Sequence, residues 1–153
     1  MRLNDYVSER LVLLRIEARD MEGALGEVAR KAAEAGFGDA SLIEERLVAR
    51  ERLHSTEIGS GFAIPHATVP GLDQPVVGVA LSGGVPVTSS GEGDGISILI
   101  VILSPPGWER DHLKILARIC RLARHEGFLE AVEAAVTPAE VVEILRDVDG
   151  LHA

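Results

Sequence analysis

The sequence predicts an α/β fold in which a mixed β-sheet is sandwiched between helices on both faces of a single domain, residues 1–153. Hydrophobic residues make up 46% of the chain and aromatic residues only 3%, so the predicted core is aliphatic. Segments typical of strands alternate with segments typical of helices, which is the pattern of α/β domains. Residues 96–103 (ISILIVIL) are almost wholly aliphatic, as expected of a central strand covered on both faces.

The first third of the chain predicts one strand and two helices. Residues 11–16 (LVLLRI) indicate a buried strand. Asp20 is placed to cap a helix over residues 21–35, whose apolar positions form one stripe, and the glycine at position 36 ends it. Asp39 begins a second helix that reaches about residue 53.

The rest of the chain continues the alternation of strands and helices. Residues 137–140 (TPAE) combine a capping box with a proline at the first helical position, which predicts the start of the last helix. The other predicted elements are, in order, an extended run over residues 62–64, a strand over residues 76–81, a surface loop over residues 91–95, the strand over residues 96–103 and a helix from about Glu109.

Charge and composition disfavour several classes of function. The net charge of −9 would repel a nucleic acid backbone, so no nucleic acid partner is expected. The longest apolar run, residues 98–103, is too short to cross a bilayer, and no signal peptide is evident, so direct membrane insertion is not expected. Cys120 is the single cysteine, which excludes an internal disulfide and indicates a reducing cytoplasm.

Two histidines stand where an α/β sheet collects ligands. His66 follows a short extended run and comes directly after Pro65, which constrains the direction of the chain. His112 lies in the first turn of the helix after the predicted central strand, where free N–H groups and the helix dipole favour an anion such as phosphate. If both strands end at the same edge of the sheet, the two imidazoles converge there.

The residues alone leave other interpretations open. Each of these histidines also fits a packed position with no chemical role, and that interpretation is the more frequent one for a histidine in a first helical turn such as His112. A zinc site built from His54, His66 and His112 is disfavoured, because no HxH or HExxH pair supports it. The sequence also lacks a G-x-S-x-G elbow and a Walker loop.

Two segments carry a resemblance to a known family. Residues 50–66 (RERLHSTEIGSGFAIPH) resemble the motif of the fructose/mannitol-type EIIA domains of the bacterial phosphotransferase system, a family that includes the sugar-specific IIA domains and the nitrogen-regulatory IIA protein. Residues 111–116 (DHLKIL) are similar to the H-L-x-x-L start of a helix in that family. The resemblance extends over essentially the whole chain.

The resemblance implies a phosphocarrier and assigns three site residues. His66 would accept a phosphoryl group from phospho-HPr and pass it to a IIB domain on a separate chain. His112 would lie beside the phosphorylated ring and hold phosphoryl oxygens, and Arg50 would add charge-assisted hydrogen bonds. No metal and no cofactor are expected, because positioning and charge stabilisation dominate phosphoryl transfer.

The resemblance leaves the biological role open. A sugar-transport phosphocarrier, a regulator whose phosphorylation controls binding to target proteins, and a degenerate domain without phosphate all fit, and association into a homo-oligomer is compatible with each. Glu57 and Ala67 stand where the family favours glycine, so the phosphorylation rate or the choice of partner is expected to differ. An apolar rim for partners is expected around His66, with Phe62, Ile64, Val69 and Leu113 as its candidates.

Overall fold

The computed structural model describes residues 1–88 and 95–152, and six of their segments form one sheet. A short 3₁₀ helix, Leu3–Asp5, precedes the first strand. The strands are β1 (Val7–Leu13), β2 (Glu57–Gly59), β3 (Phe62–Ala63), β4 (His66–Thr68), β5 (Val76–Leu81) and β6 (Ile98–Ser104). The helices are α1 (Met21–Glu34), α2 (Ala40–Leu53), α3 (Glu109–Arg124), α4 (Phe128–Ala134) and α5 (Pro138–Leu151).

Strand β6 lies at the centre of a mixed sheet. It is antiparallel to β5, which in turn is parallel to β1. Along its other edge β6 pairs in parallel with β3 first and then with β4. The peptide between these two short strands is anchored as well, because the Pro65 carbonyl accepts a hydrogen bond from the Ile102 N–H at 3.0 Å. This arrangement places His66 beside the carboxyl-terminal half of β6.

The alternating side chains of β6 fill two separate cores. Leu99, Val101 and Leu103 pack on the side covered by α1 and α2. Ile98, Ile100 and Ile102 pack on the side covered by α3, α4 and α5. Every residue of β6 is buried, which accounts for the continuous aliphatic run in the sequence. The predicted α/β fold, with helices on both faces of a mixed sheet, is confirmed.

The predicted helix starts are confirmed by their capping hydrogen bonds. The Asp20 carboxylate accepts the Gly23 N–H at 2.8 Å, and the Asp39 carboxylate accepts the Leu42 N–H at 2.9 Å. The Thr137 hydroxyl accepts the Glu140 N–H at 3.1 Å, directly before the proline that opens α5. Each bond satisfies an N–H group that has no partner within its own helix.

The structure shifts two predicted strands. The first strand is Val7–Leu13 and not residues 11–16. Ile16 lies outside the strand but is fully buried, so its apolar side chain reflects packing in the core and not strand structure. The central strand begins at Ile98, since Ile96 instead forms an isolated bridge with Val87. Most of the predicted loop, residues 91–94, lies outside the described residues.

Four short elements were not predicted. They are the 3₁₀ helix Leu3–Asp5, β2, β4 and α4, each of which has at most seven residues. Segments of that length carry too little periodicity to be recognised, and their pairing is decided by the neighbouring elements. Within residues 1–88 and 95–152, no helix combines the length and the apolar character needed to cross a bilayer.

Candidate functional site

A pocket of about 500 Å³ opens where the ends of β4 and β6 meet two helices. The last turns of α2 form one wall, and the first turn of α3 forms the opposite wall. The three residues singled out from the sequence, Arg50, His66 and His112, all line this pocket. The other lining residues are Arg46, Ala49, Leu53, Ala67, Thr68, Ser104, Pro105, Trp108, Glu109 and Leu113.

The backbone fixes the tautomer of His66. Its Nδ1 atom lies 2.8 Å from the Ile64 carbonyl oxygen, which only accepts hydrogen bonds, so Nδ1 carries the proton of the neutral ring. The Nε2 atom therefore carries the lone pair. His66 is partly buried, and its pKa is lowered by this burial and by the positive charge of Arg50, while the bond to Ile64 opposes the shift. The ring is thus kept neutral, in the tautomer that has its lone pair on Nε2.

A chain of hydrogen bonds holds the Ile64 peptide in place. The Glu51 carboxylate of α2 accepts both the Thr56 N–H at 2.9 Å and the Thr56 hydroxyl at 2.6 Å. The Thr56 carbonyl then accepts the Ile64 N–H at 3.0 Å. Because the Ile64 carbonyl accepts from His66, helix α2 positions the imidazole through Glu51 and Thr56. This explains why a glutamate and a threonine occur at these places in the motif.

His112 contacts His66 and a buried serine. The centroids of the two rings are 5.1 Å apart, with their planes inclined at 60°. The Nδ1 atom of His112 lies 2.8 Å from the hydroxyl oxygen of Ser104, the last residue of β6, which is 3% exposed. Burial and the nearby His66 lower the pKa of His112, so this ring is also kept neutral. The ring of His112, which carries the second nitrogen Nε2, forms part of the pocket lining.

Two arginines make the α2 wall of the pocket positive. The Arg50 Nη1 donates to the carbonyl of His54 at 2.8 Å, which holds the guanidinium at the end of the helix. The Arg46 Nη1 donates to the carbonyl of Thr68 in the β4 strand at 3.2 Å. A guanidinium has five N–H donors, so each side chain retains donors beyond the one used here. The pocket combines these cations with neutral imidazoles, an arrangement suited to a phosphoryl group.

The pKa values of both imidazoles are expected to lie below about 6.5, the ordinary pKa of histidine, so both rings are neutral at neutral pH. Since the pKa values are lowered in the folded protein, the unfolded chain takes up these protons first on acidification. The stability contributed by the neutral rings is therefore complete above about pH 6.5 and is lost as the pH falls through the lowered pKa values. NMR titration of the ring protons, with urea unfolding at each pH, measures both effects.

The interaction between the two rings provides the control for this titration. Replacing His66 with glutamine removes a group whose charge lowers the pKa of His112. The pKa of His112 is therefore expected to rise in the His66→Gln protein. An unchanged pKa of His112 in the His66→Gln protein would contradict the interaction between the two rings. A pKa above 6.5 for either ring in the unmodified protein would contradict the effect of burial.

The resemblance implies that His66 accepts a phosphoryl group, and Ser104 is expected to affect the rate of this step through His112. In Ser104→Ala, the Nδ1 of His112 loses its partner, so both the orientation and the tautomer of the ring are released. The loss of one such hydrogen bond predicts about a fivefold to tenfold slower phosphorylation. Ser104→Thr restores the hydroxyl and should recover the rate, and ¹⁵N NMR of the ring should show the altered tautomer only in the alanine variant. Equal rates in all three proteins would remove Ser104 from the site.

The predicted apolar rim is largely wrong. Phe62 and Ile64 are each 2% exposed and belong to the core beneath α3, α4 and α5, while Val69 is fully buried on the opposite face. Phe62 lies in β3, and Ile64 and Val69 directly follow β3 and β4, two short strands that pair with β6 in the interior, so these side chains are not available to a partner. Leu113 does line the pocket and is 66% exposed, and Leu53, which was not predicted, lines the facing wall at 84% exposure.

Sequence reasoning also missed the residues that support the site. The predicted central strand stopped at residue 103, so neither Ser104 nor the Glu51–Thr56 pair was predicted to support the site. Glu57 lies in β2 and lines a separate depression together with Gly61 and Ser97. In the part of the chain that the structure describes, no group of three potential ligands is placed to hold a metal ion.

Comparison with known proteins gives the family. Residues 5–148 match the family described as phosphoenolpyruvate-dependent sugar phosphotransferase system, EIIA 2. A nitrogen regulatory protein of Bradyrhizobium diazoefficiens is 32% identical over 146 residues, which cover 95% of each chain.

Solved structures show the same fold. Nitrogen regulatory protein IIA-Ntr from Neisseria meningitidis is similar with a TM-score of 0.78 and 22% identity, covering 94% of this chain and 98% of that chain. Enzyme IIA mannitol of Escherichia coli, solved in complex with phosphorylated enzyme IIB mannitol, is similar with a TM-score of 0.72 and 20% identity, covering 90% of this chain and 95% of that chain. The chain belongs to the type 2 EIIA family of the phosphoenolpyruvate-dependent sugar phosphotransferase system.

Proposed function

We propose that this protein is a cytoplasmic phosphocarrier that accepts a phosphoryl group on His66 from phospho-HPr and passes it to a IIB component on a separate chain. The observation that carries the proposal is the hydrogen bond from His66 Nδ1 to the Ile64 carbonyl. It leaves the Nε2 lone pair on a neutral ring in an open, positively charged pocket. Membership of the family and the mannitol IIA complex with a phosphorylated IIB support phosphoryl transfer between this protein and a IIB component.

The geometry of the pocket supports the following transfer step. The Nε2 lone pair of His66 attacks the phosphorus atom while the bond between phosphorus and the donor nitrogen breaks, and that electron pair returns to the donor imidazole. The negative charge on the three phosphoryl oxygens is met by the Arg50 guanidinium and by the ring of His112. The proton on Nδ1 stays bonded to the Ile64 carbonyl throughout, so the product is a singly protonated phosphohistidine. An acceptor side chain then attacks the phosphorus atom, the bond between phosphorus and Nε2 breaks, and its electron pair returns to the His66 ring.

A second candidate is a regulator whose phosphorylation state controls binding to target proteins. It is favoured by the identity of 32% with a nitrogen regulatory protein along 95% of both chains. The same chemistry at His66 serves both candidates, because a regulator of this kind must also accept a phosphoryl group. The two differ only in the partner that comes next, which is an acceptor of phosphate in one case and a bound target in the other.

Incubation with enzyme I, HPr and phosphoenolpyruvate tests the chemistry common to both candidates. The protein is expected to gain one acid-labile phosphoryl group, and ³¹P–¹⁵N coupling in the NMR spectrum should locate it on Nε2 of His66. No incorporation, or a group that resists acid, would refute the proposal. Complementation of a strain that lacks its own sugar-specific IIA then separates the roles: restored sugar uptake supports transport, and failure despite normal phosphorylation supports regulation.

A further inference from the structure

Helix α3 carries a row of cations that the pocket chemistry does not use. Arg110, Lys114, Arg121 and Arg124 are all exposed, and at 100° per residue they fall within an arc of about 80° on the helix surface. The arc runs for about 21 Å along the helix. None of the four forms an ion pair or a side-chain hydrogen bond with another residue in segments 1–88 and 95–152. We call these four residues the basic face.

The basic face is distinct from the buried side of the same helix. Ile115, Ile119 and Leu122 lie on the opposite side of α3 and are fully buried against the sheet. The acidic residues of α3, Glu109 and Asp111, both stand in its first turn, and the Glu109 carboxylate accepts the Gly107 N–H. The basic face is therefore a positively charged surface on a chain whose net charge is −9.

The basic face begins at the edge of the His66 pocket. Leu113, which lines the pocket, precedes Lys114 and lies one turn after Arg110. On the opposite wall Arg46 and Arg50 extend the positive charge, and the exposed Leu53 stands beside them. A protein that reaches His66 between Leu53 and Leu113 meets these cations at the border of its contact area. This is the usual order of a protein interface, with an apolar centre and a charged rim.

We propose that α3 is a docking surface for a protein whose contact surface is acidic. The inference rests on the proposed function, since phosphoryl transfer requires that a protein partner approach His66. Complementary charge speeds association and excludes partners of the wrong charge more than it raises affinity. The basic face thus selects among the proteins that compete for one pocket, in favour of the acidic ones.

Other anionic partners fit the surface less well. An anionic membrane gains about 1 kcal/mol per basic residue, so four residues give about 4 kcal/mol, which corresponds to binding in the millimolar range only. A nucleic acid duplex longer than the 21 Å face would extend over surface that is acidic on average. A protein contact of limited length avoids this repulsion and also buries Leu113, which is 66% exposed.

The test uses an acidic amphipathic peptide of about 20 residues, long enough as a helix to cover α3, with glutamate on one side and leucine on the other. Fluorescence anisotropy measures its binding to the full chain. Lys114→Glu/Arg121→Glu is expected to weaken binding about tenfold or more, and added salt should weaken binding to the unmodified protein. A lysine peptide of the same design should bind more weakly than the glutamate peptide.

The matched control reverses two exposed arginines that do not belong to α3. Arg15→Glu/Arg30→Glu lowers the net charge by the same amount, but Arg30 lies on α1, which covers the face opposite α3. Its affinity for the glutamate peptide should stay within about twofold of the unmodified value. If the reversed α3 variant fails to fold by circular dichroism, Lys114→Gln/Arg121→Gln replaces it with the same expected direction.

Two results would overturn the inference. One is equal affinity of the α3 and control variants for the glutamate peptide. The other is tighter binding, dependent on Lys114 and Arg121, to phosphatidylglycerol vesicles or to duplex RNA than to the peptide. Because the peptide assay involves no phosphate, its failure leaves phosphorylation of His66 untouched, and failure of the phosphorylation assay leaves the peptide result untouched.

Discussion

Replacing His66 with alanine is expected to abolish phosphorylation, because it removes the single nitrogen that carries a lone pair toward the pocket while the Ile64 carbonyl holds the other. Enzyme I, HPr and radiolabelled phosphoenolpyruvate should transfer no label above background to the His66→Ala protein. The fold should persist, since His66 is only partly buried and its backbone pairing with Ile102 in β6 does not need the side chain. Circular dichroism and thermal unfolding verify this.

The neighbouring His54 provides a matched control for that loss. It is exposed at the end of α2, and its carbonyl, not its side chain, accepts the hydrogen bond from Arg50. His54→Ala therefore preserves the geometry of the guanidinium and should be labelled at the unmodified rate. Label that persists in His66→Ala would place the phosphoryl group on another residue and end the assignment.

The sequence predicted well those features that are determined by a few neighbouring residues. The helix starts at Asp20, Asp39 and Thr137 depend on a side chain and an N–H three residues later, and all three hydrogen bonds are present. The strand Val76–Leu81 has the predicted bounds, because its run of apolar residues is buried throughout. Helix caps and apolar runs depend on residues that are close in sequence, so they can be predicted without knowledge of the fold.

The sequence predicted the site less completely than the fold. His66 and His112 were singled out by their places after Pro65 and in a first helical turn, and their rings lie 5.1 Å apart. Their roles in transfer remain proposals. The contact of Ser104 with His112 depends on the tertiary packing of α3 against β6, which no spacing reveals.

The predicted rim failed for a related reason. Phe62 and Ile64 lie close to His66 along the chain, but closeness in sequence does not place a side chain on the same surface. In the structure both side chains are 2% exposed, because β3 and the peptide after it are held against the central strand. The exposed residues beside His66 come instead from α2 and α3, which are distant in sequence and adjacent in space.

The second large effect is expected at Asp149, which does not line the pocket. This carboxylate is 2% exposed and accepts two hydrogen bonds, from the Arg118 guanidinium at 2.8 Å and from the Leu3 N–H at 2.9 Å. It thereby joins the N-terminal 3₁₀ helix, α3 and α5. Asp149→Ala leaves the Arg118 charge and the Leu3 N–H without their partner, and such losses cost about 3–5 kcal/mol of the free energy of unfolding. Urea denaturation measures the change.

Two further variants test whether the loss of stability comes from the buried ion pair or from any substitution in α5. Asp147→Ala removes an exposed carboxylate from the same helix and should change the free energy of unfolding by no more than about 0.5 kcal/mol. Arg118→Met combined with Asp149→Ala removes both charges, so the double variant should be more stable than Asp149→Ala alone, because no unpaired charge remains buried. If Asp149→Ala and Asp147→Ala have the same small effect, the buried pair does not hold the terminal elements together. If the double variant is the least stable protein of the series, the cost arises from lost packing and not from an unpaired charge.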